Sequence, residues 1–416
     1  MLTKGFKLGA CLFFAAVSVA ACSRGEQQKY AMHPFVERAA NDTSCVENRI
    51  LSSYSDDNRD GSIAIIGEGA DVIRIADYFS VYDSYDNINA AHVPDGIPDF
   101  AGEVFDVLID DANGPYGGYA KADNSLFLRE LIIRNAVAML DGKCYANAYD
   151  KSCSAVKAPA KALVIPSVSY SPEVISDLDT LLNGAGVRIP VVYPPLSSVR
   201  TVFDMFKDIS GIGVMAGLEV AASGVYGELF RDISAISGYR SQVHNVIYSP
   251  QGLTPGEKVR NFIQMYINSG YTQPLNAIII DDLMLARDID SMYAALDSIV
   301  TEKSEEAALY ESVIAEGFRF IDPAECMASE LFRQMRDAND MALRISYPKC
   351  NFFITVFSPE FMIESGKDSI GDALKYARAY DAGRNTVKIV HMTRRHVNSR
   401  ELAELDSIAP NLHVNF

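Results

Sequence analysis

Two pairs of aspartates close apolar runs: Val107-Leu108-Ile109 ends in Asp110-Asp111, and Ile278-Ile279-Ile280 ends in Asp281-Asp282. A carboxylate in such a place accepts hydrogen bonds from hydroxyl and ammonium groups, and an aromatic ring beside it offers a face for stacking. Asn113 and Tyr116 follow the first pair, while Ser167, Ser169 and Tyr170 follow a third apolar run, Leu163-Val164-Ile165. Taken together, Asp110, Asp111, Asn113, Tyr116, Ser167, Ser169, Tyr170, Asp281 and Asp282 make a candidate binding set for a small polar ligand, hydroxyl-rich or positively charged. Taken singly, each aspartate has a plainer use as the cap of a following helix.

A second constellation concerns metal. Asp56, Asn58 and Asp60 alternate before Gly61, the oxygen-ligand order of the first half of a calcium loop. The bidentate acid that should complete it falls on Gly67, with Glu68 one residue late. Calcium is therefore the one cofactor the residues offer, and a plain surface turn is the commoner use of such a loop. Asp95, Asp99 and Glu103 resemble part of a calcium repeat without its leading acids, and His92 is the one histidine near several acids. Gly67-Glu68-Gly69 has a tight turn's glycines, but Val72 stands where a dinucleotide fingerprint needs its third. No Gly-x-Ser-x-Gly, His-Glu-x-x-His or Walker loop occurs, so the sequence assigns no catalytic residue.

These residues need elements to hold them. Short β-branched runs, expected as strands at 62–66, 104–109, 162–165, 188–192, 211–215, 243–248, 276–280, 318–321, 351–357 and 386–391, alternate with helical patterns. Helices are expected at 126–140, 172–182, 197–207, 255–268, 288–300, 323–341 and 369–380. Continuously apolar strands between helices indicate an α/β protein with mainly parallel sheets covered on both faces. The expected strands split evenly near residue 235, giving an N-terminal α/β lobe at 45–235 and a C-terminal one at 236–416. In open sheets of this kind ligands sit outside the carboxyl ends of the strands, where the aspartate pairs fall.

Composition narrows the partners. Among 416 residues, 54 acidic side chains oppose 37 basic ones for a net charge of −17, which disfavours nucleic acid. Lys4 and Lys7 precede an apolar run from Leu8 to Ala20, a segment with the pattern of an export signal. Its ending, Val19-Ala20-Ala21-Cys22, resembles the lipobox of bacterial lipoproteins. That resemblance implies cleavage after residue 21, lipidation of Cys22, a polar tether over 22–44, and, with Ser23 next, attachment to the bacterial envelope at the outer membrane. Five cysteines then remain. Cys144 and Cys153 bracket a polar loop and form the expected disulfide, with pairings of Cys45, Cys326 and Cys350 left open.

The order of elements from about 60 to 395 resembles type I periplasmic solute-binding proteins, above all at 161–195 and 257–296; the long segment between Asp77 and Val104 departs from that pattern. The resemblance implies two Rossmann-like lobes closing on a ligand. The expectation is thus an envelope lipoprotein that binds a small polar ligand in an interlobe cleft. A metal-dependent hydrolase using Asp110, Asp111 or Asp281, and a surface module for an envelope protein partner, stand as alternatives.

Overall fold

The computed structural model describes residues 30–167, 171–237, 244–248, 253–302, 304–344, 346–366, 369–379, 386–397, 404–405 and 407–412. The signal-like segment, Cys22, Ser169 and Tyr170 lie outside these residues.

Twelve strands form in chain order: β1 (Ser62–Gly67), β2 (Val104–Ile109), β3 (Lys143–Cys144), β4 (Ala155–Val156), β5 (Ala160–Val164), β6 (Val191–Val192), β7 (Gly211–Met215), β8 (His244–Tyr248), β9 (Leu275–Ile280), β10 (Ile314–Ile321), β11 (Lys349–Phe357) and β12 (Val387–His391). Six of them make one sheet in the order β12-β11-β2-β1-β5-β6, four make a second in the order β10-β9-β7-β8, and β3 and β4 form a small hairpin. All pairings in the two large sheets are parallel except β11 with β12. Strands β1 and β9 are buried along their whole length, as expected for parallel strands with both faces covered. The mixed α/β class with mainly parallel sheets is therefore as the apolar runs indicated.

The division at residue 235 is corrected. Strand β7 already belongs to the second sheet, and β11 and β12 return to the first, so the first sheet is built from both ends of the chain. The chain crosses out through a helix and back through a helix. Helices α1 (Pro34–Asn41), α2 (Val46–Ser53), α3 (Gly69–Val81), α4 (Gly117–Lys121), α5 (Ser125–Leu140) and α6 (Pro172–Ala185) accompany the first sheet, and α7 (Pro194–Met205) makes the outward crossing. The helix Pro323–Asp337 makes the return, capped by Asp322, whose side chain accepts from the Ala324 N–H. Its Met327 and Leu331 join the core of the first sheet, and so does Leu283, from the turn after β9. The two halves thus share buried surface.

The tether expected over 22–44 is also corrected in its distal part. Residues 34–41 are helical, starting at Pro34 with His33 as cap, and Phe35, Val36 and Ala39 are buried in the first core. Three apolar side chains on one face of a short helix are enough to dock it. Helix α5 was legible because its apolar residues run without a polar face: Ile132, Ile133, Ala136 and Val137 pack on Ala64, Ile66 and Leu108 of the sheet.

Where charge is buried among these elements, it is paired. Lys161 on β5 places Nζ 2.9 Å from Glu103 and donates to the carbonyls of Arg59 and Asp340, tying the start of β2 to the returning chain. Removing one partner of such a pair leaves the other charged and enclosed, at a cost of about 3–5 kcal/mol. Lys161→Met is accordingly expected to destabilise the protein by that amount in urea unfolding; a loss below about 1 kcal/mol would show that Glu103 finds another partner.

Candidate functional site

The site is best built from β1 outward. Gly67 ends the strand against Ser167, and a Cβ at this position would lie 2.6 Å from the serine Oγ. Only glycine lets the two strand ends approach so closely. Glu68 follows as the cap residue of α3, with Gly69 in the left-handed region at φ 59°. The Glu68 carboxylate does not cap its own helix; it accepts the Tyr116 backbone N–H at 2.5 Å. Burial nevertheless pushes its carboxyl up to about 7, with the nearby charges of Asp71 and Asp110 adding to the shift and the Tyr116 N–H opposing it.

Asp71 lies in the first turn of the same helix. Its carboxyl is pushed up to about 6, chiefly by burial and then by the negative charges of Asp282 and Asp281, while Arg74 opposes the shift. Asp71 of the first half and the acids after β9 therefore lie close enough to sense one another. Arg74, one turn further along α3, pairs with Asp322 at 3.0 Å and is 5% exposed. Its Nη1 is buried without a hydrogen-bond partner. A guanidinium offers five N–H donors, so an enclosed nitrogen facing no acceptor is a position that an oxygen of a bound molecule can fill.

The residues nominated from sequence divide. Asp110 is fully enclosed: Asn113 and Thr355 donate to Oδ1 at 2.7 Å, and Tyr116 and Asn135 donate to Oδ2 at 2.8 Å. Burial pushes its carboxyl up while Thr355, Tyr116 and Asn113 pull it down. With all four acceptor positions occupied, Asp110 holds strand ends together and offers nothing to a ligand. Asn113 and Tyr116 take part in the same network. Asp111 is exposed, and Ser167 sits under Glu68, donating no hydrogen bond outward among the described residues. Asp281 accepts from the Tyr226 hydroxyl at 2.5 Å, and Asp282 accepts the Leu285 N–H at 2.9 Å, so Asp282 does cap the next turn.

The remaining expectations are answered locally. Asp56 accepts the Arg188 N–H, and the Asn58 side chain donates to the Pro159 carbonyl; among the described residues no group of acids, histidines and cysteines could hold a metal ion. Asp83 and Asp99 spend their oxygens on backbone N–H groups of the 84–96 loop, which is why that acid-rich stretch is a folded turn. His92 stacks on Tyr85 and lowers the Glu325 carboxyl, which burial raises. Cys144 and Cys153 are neighbours but free thiols, so the expected disulfide is absent.

Glu68, Asp71 and Arg74 were missed. The available signal was a charged pair at i and i+3, Asp71 and Arg74, in the largely apolar first two turns of a helix directly after a strand that ends in glycine.

No family model and no curated protein matches the chain. Among solved structures it is similar to a glutamate racemase from Francisella tularensis in complex with D-glutamate, at 14% identity over 73% of this chain and 92% of that one, with a TM-score of 0.43. A glutamate racemase from Bacillus anthracis matches at 16% identity over 71% and 88%, with a TM-score of 0.41. A transporter solute-binding protein from Bacillus halodurans, with bound myo-inositol, matches at 15% identity over 73% and 96%, with a TM-score of 0.24. The racemases match with higher scores than the solute-binding protein, so the expectation of solute binding is not upheld by these likenesses. Neither the metal-dependent hydrolase nor the protein-interaction alternative gains from these likenesses.

The raised carboxyl of Glu68 has a sign in stability. The folded chain holds a proton that the unfolded chain releases above about 4.5, so stability falls as pH rises from about 4.5 to about 7 and is level beyond. Glu68→Gln keeps an acceptor for Tyr116 N–H without the titration. The variant is expected to gain on the wild type across that window, reaching about 1–3 kcal/mol at pH 8 in urea unfolding; equal stabilities at pH 5 and pH 8 would contradict the shift.

Proposed function

We propose that this protein is an enzyme that moves a proton on a small polar substrate held between its two halves, with Asp71 as base and Glu68 as acid. The observation that carries the reading is the pair of half-buried carboxyls at the start of α3, both raised, with Asp281 and Asp282 acting on Asp71. General acid–base work near neutral pH needs one group that is ionised and one that is protonated together. A base titrating at about 6 and an acid titrating at about 7 meet that need between those values.

In the step proposed, the Asp71 carboxylate takes a proton from substrate and the Glu68 carboxyl returns one, so the substrate is isomerised with no net change in charge. Arg74 Nη1 would receive an oxygen of the substrate and stabilise negative charge that builds on it. Asp281 and Asp282 would face a positive or hydrogen-bond-donating group at its other end. The same reading takes the halves as Rossmann-like lobes that close about α7 and the helix Pro323–Asp337, the layout of type I periplasmic binding folds without a transport role.

Exchange of substrate protons with D2O, followed by NMR over a panel of amino and hydroxy acids, tests this directly. Wash-in by the wild type, with a bell-shaped pH dependence having limbs near 6 and 7, is expected. Glu68→Gln should slow it by about 10²–10⁴-fold, and Arg74→Met should raise KM more than it lowers kcat. Exchange that is unchanged in Asp71→Asn would rule the reading out.

A further inference from the structure

On the face of the first sheet that carries α2 and α5 lies a cavity of about 440 Å³, separate from the carboxyls of the cleft. Its size is that of pockets that enclose a small organic molecule. Apolar walls come from Ile50, Leu131, Ala138 and Ile389. Three thiols, Cys45, Cys144 and Cys153, open onto it. Burial pushes the Cys144 thiol up to about 11 and raises those of Cys45 and Cys153, so all three are uncharged at neutral pH and behave as small apolar groups.

Part of the charge on the wall is paired. Arg134 meets Glu47 and, at 2.8 Å, Glu130, and Arg38 lies 3.7 Å from Glu130. A neutral ligand leaves those pairs intact. Lys157 makes no ion pair among the described residues. It is 8% exposed, and its ammonium gives two of its three N–H bonds to the carbonyls of Met139 and Ala158, at 2.7 and 3.2 Å. Among the described residues no acceptor takes the third.

From these walls we infer a second ligand site: a cavity for a neutral molecule with an apolar, ring-sized body and one carbonyl oxygen directed at Lys157. Occupancy would also reach the cleft. Asn113 and Asn135 line the cavity and both donate to Asp110, which also accepts from Tyr116, the residue whose backbone N–H holds Glu68.

Prodan, a neutral naphthalene carrying one ketone, is a probe of this class whose emission reports the polarity around it. Titration of the full chain should give one blue-shifted site per molecule. Ala138→Phe, which fills the cavity, should weaken binding at least about tenfold, and Asp290→Asn, exposed on a helix of the second half, should leave it unchanged. Lys157→Met should weaken prodan but not the analogue that lacks the ketone. Should Ala138→Phe fail to fold, alkylation of the wild type decides: bound prodan must slow the reaction of Cys144 and Cys153 with iodoacetamide. Absence of saturable binding, unchanged affinity in folded Ala138→Phe, or unprotected thiols would each overturn the site.

Discussion

A carboxylate taken out of water has to be answered by hydrogen bonds, by a cation, or by a proton. All three answers occur along one edge of this molecule. Asp110 is met by four neutral donors, Asp322 by the Arg74 guanidinium, and Glu68 and Asp71, with too few of either, by raised proton affinity. The differences come from position. Asp110 extends from β2 toward β11 and α5, where Thr355 and Asn135 reach it; Glu68 caps α3 with its carboxylate on the Tyr116 N–H, and Asp71 in the first turn senses Asp281 and Asp282 of the second half. Burial raises all four carboxyls, and what sets Asp110 apart is the four donors that meet it.

The crossings of the chain place those acids opposite one another. The two sheets are joined by α7 and the helix Pro323–Asp337, whose packing surfaces are exchanged. Val199 and Val202 of α7 lie in the core of the second sheet, while Met327 and Leu331 of the returning helix lie in the core of the first. Arg74 and Asp322 join α3 to the start of that returning helix, so one ion pair marks the line along which the halves meet.

Much of the fold could be read from residue order because its signals are local. β2 and β7 fall on their expected residues, and the helix Pro255–Asn268 is bounded by the Thr254 and Glu257 capping box and by Pro255, all visible in the sequence. The return of β11 and β12 to the first sheet was not legible, because pairing between strands more than two hundred residues apart leaves no periodic trace. Phe35 and Val36 read as part of a polar tether because their neighbours are charged, although three apolar side chains at helical spacing suffice to bury a short helix. In the candidate site the rule that ligands gather at strand ends led to the edge that carries both Asp110 and Glu68. Asp110 and Glu68 both follow apolar strands, and only the count of donors around each separates a structural carboxylate from a reactive one. That count depends on Thr355, Asn135 and Tyr116, which lie elsewhere in the chain.

The central claim is that the fold raises the carboxyls of Glu68 and Asp71, to about 7 and about 6, chiefly by withholding water from them. Carbon-13 NMR titration of the two side-chain carboxyls in the full chain measures this without knowledge of any substrate. Midpoints near 7 for Glu68 and near 6 for Asp71, with that of Asp71 falling when Asp282 is replaced by asparagine, are the expected result. Midpoints for both groups near 4, the ordinary carboxylate range, would contradict it.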